Sequence, residues 1–289
     1  MLYGTFTGAR VGEVVRDMVQ NAMSCIRALR HSFTVTHKQG YNGSDDLFTT
    51  ADTQSQTVYV EAICKHFPGF GIIAEELGVR IPCTLPGMNA YFTIDPLDGT
   101  KAFKRGHSFG VATMIALVVD SEVVCSYIGD VWMGEIFGYE PESTSVQRIY
   151  PDGFVCDMAQ IDRGTSLNQQ YLLLRGAPSS YHPAVARMAS SPGFRSFEIT
   201  SGSIGLSMSR LWKGEVGAHA TRQSARATPW DSTPVIGISQ RLGMVWLYAD
   251  SHGRLRKYNP PLPLEVSPSP GDLVTVHESH VDELQHIAR

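Results

Sequence analysis

Apolar residues recur at helical spacing near the start of the chain: Val11, Val14, Val15, Met18, Val19, Ala22, Met23, Ile26 and Leu29. That period predicts a long helix from about residue 8 to residue 32. Residues 38–46 are polar and glycine-containing and predict a loop or hairpin tip. A second helix is predicted over residues 53–66, with Val58 and Ala62 facing inward and Pro68-Gly69 stopping it. Gly71-Ile72-Ile73-Ala74 predicts a short strand ending at Glu75-Glu76, and Tyr91 to Ile94 predicts the next. Phe109 to Val119 and Glu122 to Tyr127 read as a hairpin around Asp120-Ser121, followed by a strand over residues 132–139.

Residues 140–152 are polar and carry Pro141 and Pro151-Asp152-Gly153, so a boundary is expected there between domains 1–150 and 151–289. Further strands are predicted at Tyr171 to Leu174, Phe194 to Ile199 and Met244 to Tyr248. Ser203 to Trp212 predicts a helix ended by Gly214, and Pro234 to Arg241 another. The proline-rich tail after Pro260 shows little pattern. Mixed helices, strands and hairpins predict a layered α/β (mixed α+β) fold rather than a simple βαβ series.

Composition narrows the function classes. A chain of 289 residues that is 43% hydrophobic can bury one large core or two smaller ones. Its net charge, 24 − 28 = −4, disfavours a nucleic-acid polymer as partner, so a small anionic substrate would need local cations. The five cysteines are scattered without a Cys-x-x-Cys pair, which argues against a disulfide framework or zinc knot. The ten histidines show no paired ligand spacing. The longest apolar run, Val111 to Val119, is too short to span a bilayer, and no signal peptide is evident. A cytoplasmic protein with no membrane partner is expected.

The candidate chemistry centres on Asp95-Pro96-Leu97-Asp98-Gly99-Thr100 at a strand end. Two carboxylates and the Leu97 carbonyl suit a hard divalent cation, and the Gly99 and Thr100 amides suit a phosphate. A plain turn fits the same residues. Glu75-Glu76 closes a short strand; either both are solvated or Glu75 joins Asp95 as a metal ligand. Asp52 precedes a helix and reads as an N-cap or as a site carboxylate. Asp231, beside Trp230, reads as a helix cap or as a carboxylate closing a site between two domains.

Together these elements resemble the inositol monophosphatase family, which includes the 3′(2′),5′-bisphosphate nucleotidases. The resemblance rests on the complete Asp95 to Thr100 motif, on Ala74-Glu75-Glu76, on Thr49-Thr50-Ala51-Asp52, on Gly202-Ser203-Ile204-Gly205 and on Trp230-Asp231. It runs from about Val11 to about Leu247. It implies an αβαβα sandwich of the inositol monophosphatase and fructose-1,6-bisphosphatase type, commonly dimeric. It also implies a lithium-sensitive enzyme that hydrolyses a small phosphate monoester with two or three Mg²⁺ ions and a metal-activated water. Glu75, Asp95 and the Leu97 carbonyl would hold one ion; Asp95, Asp98 and Asp231 would hold a second; a third would sit near Glu75. Asp52 and Thr100 would polarise the attacking water, and Gly99 and Thr100 would seat the phosphate.

The chain departs from the family pattern in two places. Ile238-Ser239-Gln240-Arg241-Leu242-Gly243 stands where the family often has Glu-Ala-Gly-Gly, so helix termination is expected to survive with altered packing. Between Ala218 and Asp231 there is no acid to meet an inositol hydroxyl, while Arg222 and Arg226 are present. With Lys101, and with Ser203 nearby, they are candidate substrate contacts and suit a second phosphate. The substrate is therefore expected to be a small phosphorylated metabolite: an inositol phosphate, a nucleotide bisphosphate or histidinol phosphate. A weakly active phosphate-binding or regulatory protein is the rival reading.

Overall fold

The computed structural model describes residues 2–39, 45–161, 163–190, 192–223 and 227–288. A small hairpin of β1 (Leu2–Tyr3) and β2 (Phe6–Thr7) leads into α1 (Gly8–Ala28). The predicted apolar stripe is its buried face, including Val11, Val15, Met18, Ala22 and Ile26. The helix ends four residues before the predicted limit. The Ser32 amide turns back to the Leu29 carbonyl, and the Arg30 side chain is drawn to the carbonyls of Phe103 and His107.

A second hairpin, β3 (Val35–Gln39) with β4 (Asp45–Thr49), is followed by α2 (Thr50–His66). The chain then forms β5 (Gly71–Ala74), β6 (Arg80–Ile81), β7 (Ala90–Asp98), α3 (Thr100–Lys104), β8 (Ala112–Val119), β9 (Glu122–Asp130) and β10 (Ile136–Tyr139). The β8–β9 turn is the predicted one, with Asp120 and Ser121 both at positive φ, as a tight two-residue hairpin demands. Two short strands extend the sheet: β11 (Gln147–Ile149) pairs antiparallel with β10, and β12 (Val155–Asp157) pairs antiparallel with β11. The first sheet thus has eight strands in the order β12-β11-β10-β9-β8-β7-β5-β6 and runs past residue 150.

The rest of the chain supplies β13 (Tyr171–Leu174), α4 (Pro183–Ser190), β14 (Ser196–Ile199), α5 (Ile204–Trp212), β15 (Ala218–Thr221), α6 (Pro229–Arg241), β16 (Met244–Ala249), β17 (Leu255–Tyr258), β18 (Leu273–His277) and α7 (Val281–Ile287). The second sheet is ordered β14-β13-β15-β18-β16-β17. Its central β18 lies in the proline-rich tail, where the sequence pattern promised little. Val274 and Val276 of that strand are fully buried.

The layers are those of an αβαβα sandwich. Ile26 of α1 and Ile63 of α2 pack with Phe92, Ile94 and Ile115 on the outer face of the first sheet. Between the sheets, Met208 and Trp212 of α5 and Ile238 of α6 meet Met114 and Ile128 from one side and Leu173 and Met244 from the other. Val185 of α4 and Leu284 of α7 cover the far face of the second sheet. Burial of this apolar area is the main driving term for the arrangement.

Helix α6 starts five residues before the predicted Pro234. Thr228 caps it, Pro229 takes the first turn, where a missing N–H costs nothing, and Pro234 is tolerated inside. Its C-terminal end survives the loss of the family's acid: Gly243 adopts φ 70, and Ser239 accepts a bond from the buried Trp212 indole at 3.0 Å.

Candidate active site

Register places the first two carboxylates. Strand β5 runs parallel to β7, pairing Ala74 with Ile94, and the Glu75 amide donates to the Ile94 carbonyl at 3.2 Å. Glu75 and Asp95 therefore leave neighbouring strands at the same edge, where open sheets place their ligands.

A bulge places the third. Residues three apart on a regular strand face opposite sides of the sheet. Between Asp95 and Asp98 the pairing with β8 slips, so three steps along β7 match two along β8, from Met114 to Ala112. The extra residue turns Asp98 back to the side of Asp95. Pro96, with no N–H to lose from the ladder, occupies the slip.

The carboxylate oxygens of Asp95, Asp98 and Asp231 lie within 4.8 Å of one another. Asp95 and Asp98 are buried. Asp231 comes from α6 between the two sheets. It is the third residue of its helix, and its carboxylate accepts from the capping Thr228 hydroxyl at 2.5 Å.

Asp52 is delivered by a similar device. It is not the N-cap; Thr49 is, and Asp52 lies three residues on in a capping box. Its Oδ2 accepts from the Thr49 amide at 2.7 Å and the Thr49 hydroxyl at 2.6 Å, while Oδ1 accepts from Thr100 at 3.0 Å.

Several supports were not visible in the sequence. Thr113 donates to the Asp95 carbonyl at 3.4 Å and meets the buried Tyr59 hydroxyl at 2.8 Å. Gln56 clamps the Glu76 backbone through two 2.9 Å bonds. Lys38 lies 2.7 Å from Glu76 and 3.4 Å from Glu75, so neither glutamate is a freely solvated charge. Arg175 donates to the carbonyls of Gly202 and Ser203 and to Ser207 at 2.6–2.9 Å. Three glycines make the crossing between the halves possible. A side chain at Gly99 (φ 98) or Gly202 (φ 85) would strike the Gly110 carbonyl, to which the Ser203 amide donates at 3.0 Å.

The proposed substrate contacts divide. Ser203 is 1% exposed, and its hydroxyl donates to Asp98 Oδ2 beside the Gly205 amide at 3.0 Å; it holds a carboxylate rather than meeting a substrate. Lys101 is exposed on α3, outside the lining of the adjoining cavity. Arg222 lines that cavity, and Arg226 lies outside the described residues. The Gly99 and Thr100 amides begin α3.

The cavity measures about 1110 Å³, and Asp231 is one of its lining residues. Its floor is His219 of β15, Thr275 of β18 and Trp246 of β16, paired across the sheet. Arg175 and Arg222 also line it. Burial, with Arg175 nearby, lowers the His219 pKa to about 3, so its imidazole is neutral at physiological pH. Neither ring nitrogen has a protein partner.

Crowding of like charges leaves its mark. Burial, then Glu75, Asp98 and Asp231, pushes the Asp95 carboxyl well above its usual range. Burial and Asp231 push Asp98 up to about 6, against the pull of Ser203 and Gly205. Burial also raises Glu75 and Asp52.

The sequence model of the inositol monophosphatase family matches residues 9–276. The chain belongs to the inositol monophosphatase family. Among curated proteins, the Nus factor SuhB of Salmonella typhimurium is 33% identical over 96 residues, covering 33% of this chain and 34% of that protein. Inositol monophosphatase 1 of Bos taurus is 27% identical over 123 residues, covering 43% and 39%. The chain thus matches well under half the length of either relative. Among solved structures, an IMPase/NADP phosphatase complexed with NADP and Ca²⁺ overlays with a TM-score of 0.74 at 17% identity, covering 98% of this chain and 96% of that one. The suhB protein of Bartonella henselae gives 0.71 at 17%, covering 97% and 98%. At such identities the likeness establishes the family fold.

Proposed function

We propose that this chain is a Mg²⁺-dependent phosphomonoesterase acting on a small phosphorylated metabolite. The convergence of Asp95, Asp98 and Asp231 within 4.8 Å carries the reading. Largely buried carboxylates of this kind repel one another unless a cation joins them, and an all-oxygen set suits a hard divalent ion. Asp95, Asp98, Asp231 and the Leu97 carbonyl would hold it, with Glu75 as a further ligand. A bound divalent ion supplies charge neutralisation for the phosphate and a lowered pKa for the attacking water. A related IMPase/NADP phosphatase has been crystallised with Mg²⁺ and phosphate.

The chain's own residues supply the proton path. The Thr100 hydroxyl donates to Asp52 Oδ1 at 3.0 Å, and the Leu97 carbonyl lies 3.2 Å from the same oxygen as an alternative acceptor. As Thr100 Oγ1 takes a proton from the attacking water, its own proton passes to Asp52 Oδ1. Burial, which raises the Asp52 pKa, favours that acceptance. The new P–O bond forms as the ester P–O bond breaks, and the leaving alkoxide takes a proton from solvent water as it departs into the cavity lined by His219 and Trp246.

Two features favour an alcohol carrying a second anionic group over inositol 1-phosphate alone. The cavity contains Arg175 and Arg222, and its volume exceeds the need of a single sugar ring. An IMPase/NADP phosphatase of similar fold, crystallised with NADP and Ca²⁺, supports a nucleotide as one such substrate. The test is phosphate release, with and without Mg²⁺, from inositol 1-phosphate, 3′-phosphoadenosine 5′-phosphate, fructose 1,6-bisphosphate and histidinol phosphate. A preference for the two bisphosphates is expected; a preference for inositol 1-phosphate would reverse the substrate assignment.

A further inference from the structure

A second cavity, of about 620 Å³, lies at the other end of the β16–β17 turn and shares no lining residue with the first. Arg187 of α4 and Arg254, Arg256 and His252 of the turn line it, and among the described residues no carboxylate side chain does. Among the described residues, Arg187 and Arg254 have no ion-pair partner. Arg256 spends its Nε on Asp250 at 2.9 Å.

The arrangement is built rather than loosely gathered. Asp250 Oδ1 accepts the amides of His252 at 3.0 Å and Arg254 at 2.9 Å, which fixes the turn. Gly253 (φ 75) seats it on α4; a β-carbon there would lie 3.6 Å from the Ala184 β-carbon and 3.9 Å from the Arg187 guanidinium. Helix α7 closes the third side, with Gln285 donating to the Leu255 carbonyl at 3.2 Å. Three guanidinium groups brought to one cavity repel each other, and a multivalent oxyanion relieves that repulsion.

We propose that this cavity binds a phosphate-bearing small molecule, with its phosphate bridging Arg187 and Arg254. Guanidinium forks match phosphate oxygens in geometry and charge. The cavity exceeds inorganic phosphate in size, so the natural ligand has a body beyond its phosphate. Ala249 to Ser251, next to this turn, line the first cavity.

Calorimetric titration of the whole chain with inorganic phosphate, in chelator, tests the site. Without divalent ions the aspartate cluster repels phosphate, and the Arg187 and Arg254 variants separate binding here from binding at Arg222 in the first cavity. Wild type should bind, and Arg187→Gln with Arg254→Gln should weaken binding by about tenfold or more, in line with the loss of charge-assisted hydrogen bonds. Each single variant should fall between, and these decide the matter if the double variant unfolds. Unchanged affinity in the variants, or no binding by wild type at millimolar phosphate, would overturn the site. No turnover is read, so a failure of the phosphatase reading would leave this result standing.

Discussion

The Thr100 hydroxyl stands 3.0 Å from Asp52 Oδ1 and ties the start of α3 to the start of α2. That bond sets where a proton can go. Thr100→Ala and Asp52→Asn should each lower kcat by roughly 10²–10⁴, the range for a lost general base, with KM little changed. Steady-state kinetics on both variants check this. A large KM change at constant kcat would make the pair a binding feature.

Asp98 gives a pH dependence with a defined sign. Its folded pKa of about 6 lies above the ordinary aspartate value, so at intermediate pH the folded chain keeps a proton that the unfolded chain has released. The stability from that proton is present at low pH and lost as pH rises through about 6. Asp98→Asn removes the titration. In chelator, the variant's melting temperature relative to wild type should rise between pH 5 and pH 8. Saturating Mg²⁺ should shrink that gap by stabilising the wild type. A gap independent of pH would contradict the charge crowding.

Arg175 binds two carbonyls and a hydroxyl around Ser203, which in turn holds Asp98. Arg175→Ala should destabilise the fold by about 3 kcal/mol, since it strips several charge-assisted hydrogen bonds from a partly buried site. Denaturant unfolding measures the loss. A change under about 0.5 kcal/mol, the surface range, would mean the network relaxes around the gap.

Much of this site was legible before any coordinates. The run Asp95 to Thr100 alone reads as a plain turn or as a site, and only the separate Asp52, Glu75 and Asp231 elements favour the site. What the sequence hid was the reason for its spacing. Residues 95 and 98 should point apart, and only the bulge against Met114 and Ala112 brings them together. Asp52 and Asp231 read from sequence as helix caps or as site carboxylates; neither is the cap itself, since each is the third residue of its helix behind a capping threonine. Lys38, Arg175 and His219 carried no local signal, since their partners lie far along the chain. Strand β18 was hidden for a different reason: the prolines that precede it obscure its short alternation.

Arg222 and Asp231 both line the first cavity. Arg222→Ala should reduce kcat/KM for a bisphosphorylated substrate by about tenfold or more, the size of a lost charge-assisted contact, and affect a monophosphate far less. Equal losses on both substrates would remove Arg222 from second-phosphate recognition.

The central claim is that Asp95, Asp98 and Asp231 form a divalent-ion centre for phosphate ester hydrolysis. Phosphate release by the purified chain, measured across a Mg²⁺ titration for wild type and Asp95→Asn, tests it most directly. Wild type should show no turnover in chelator and saturable activation by Mg²⁺, with near-complete loss in the variant at every concentration. Turnover that persists in chelator, or that Asp95→Asn leaves intact, would contradict it.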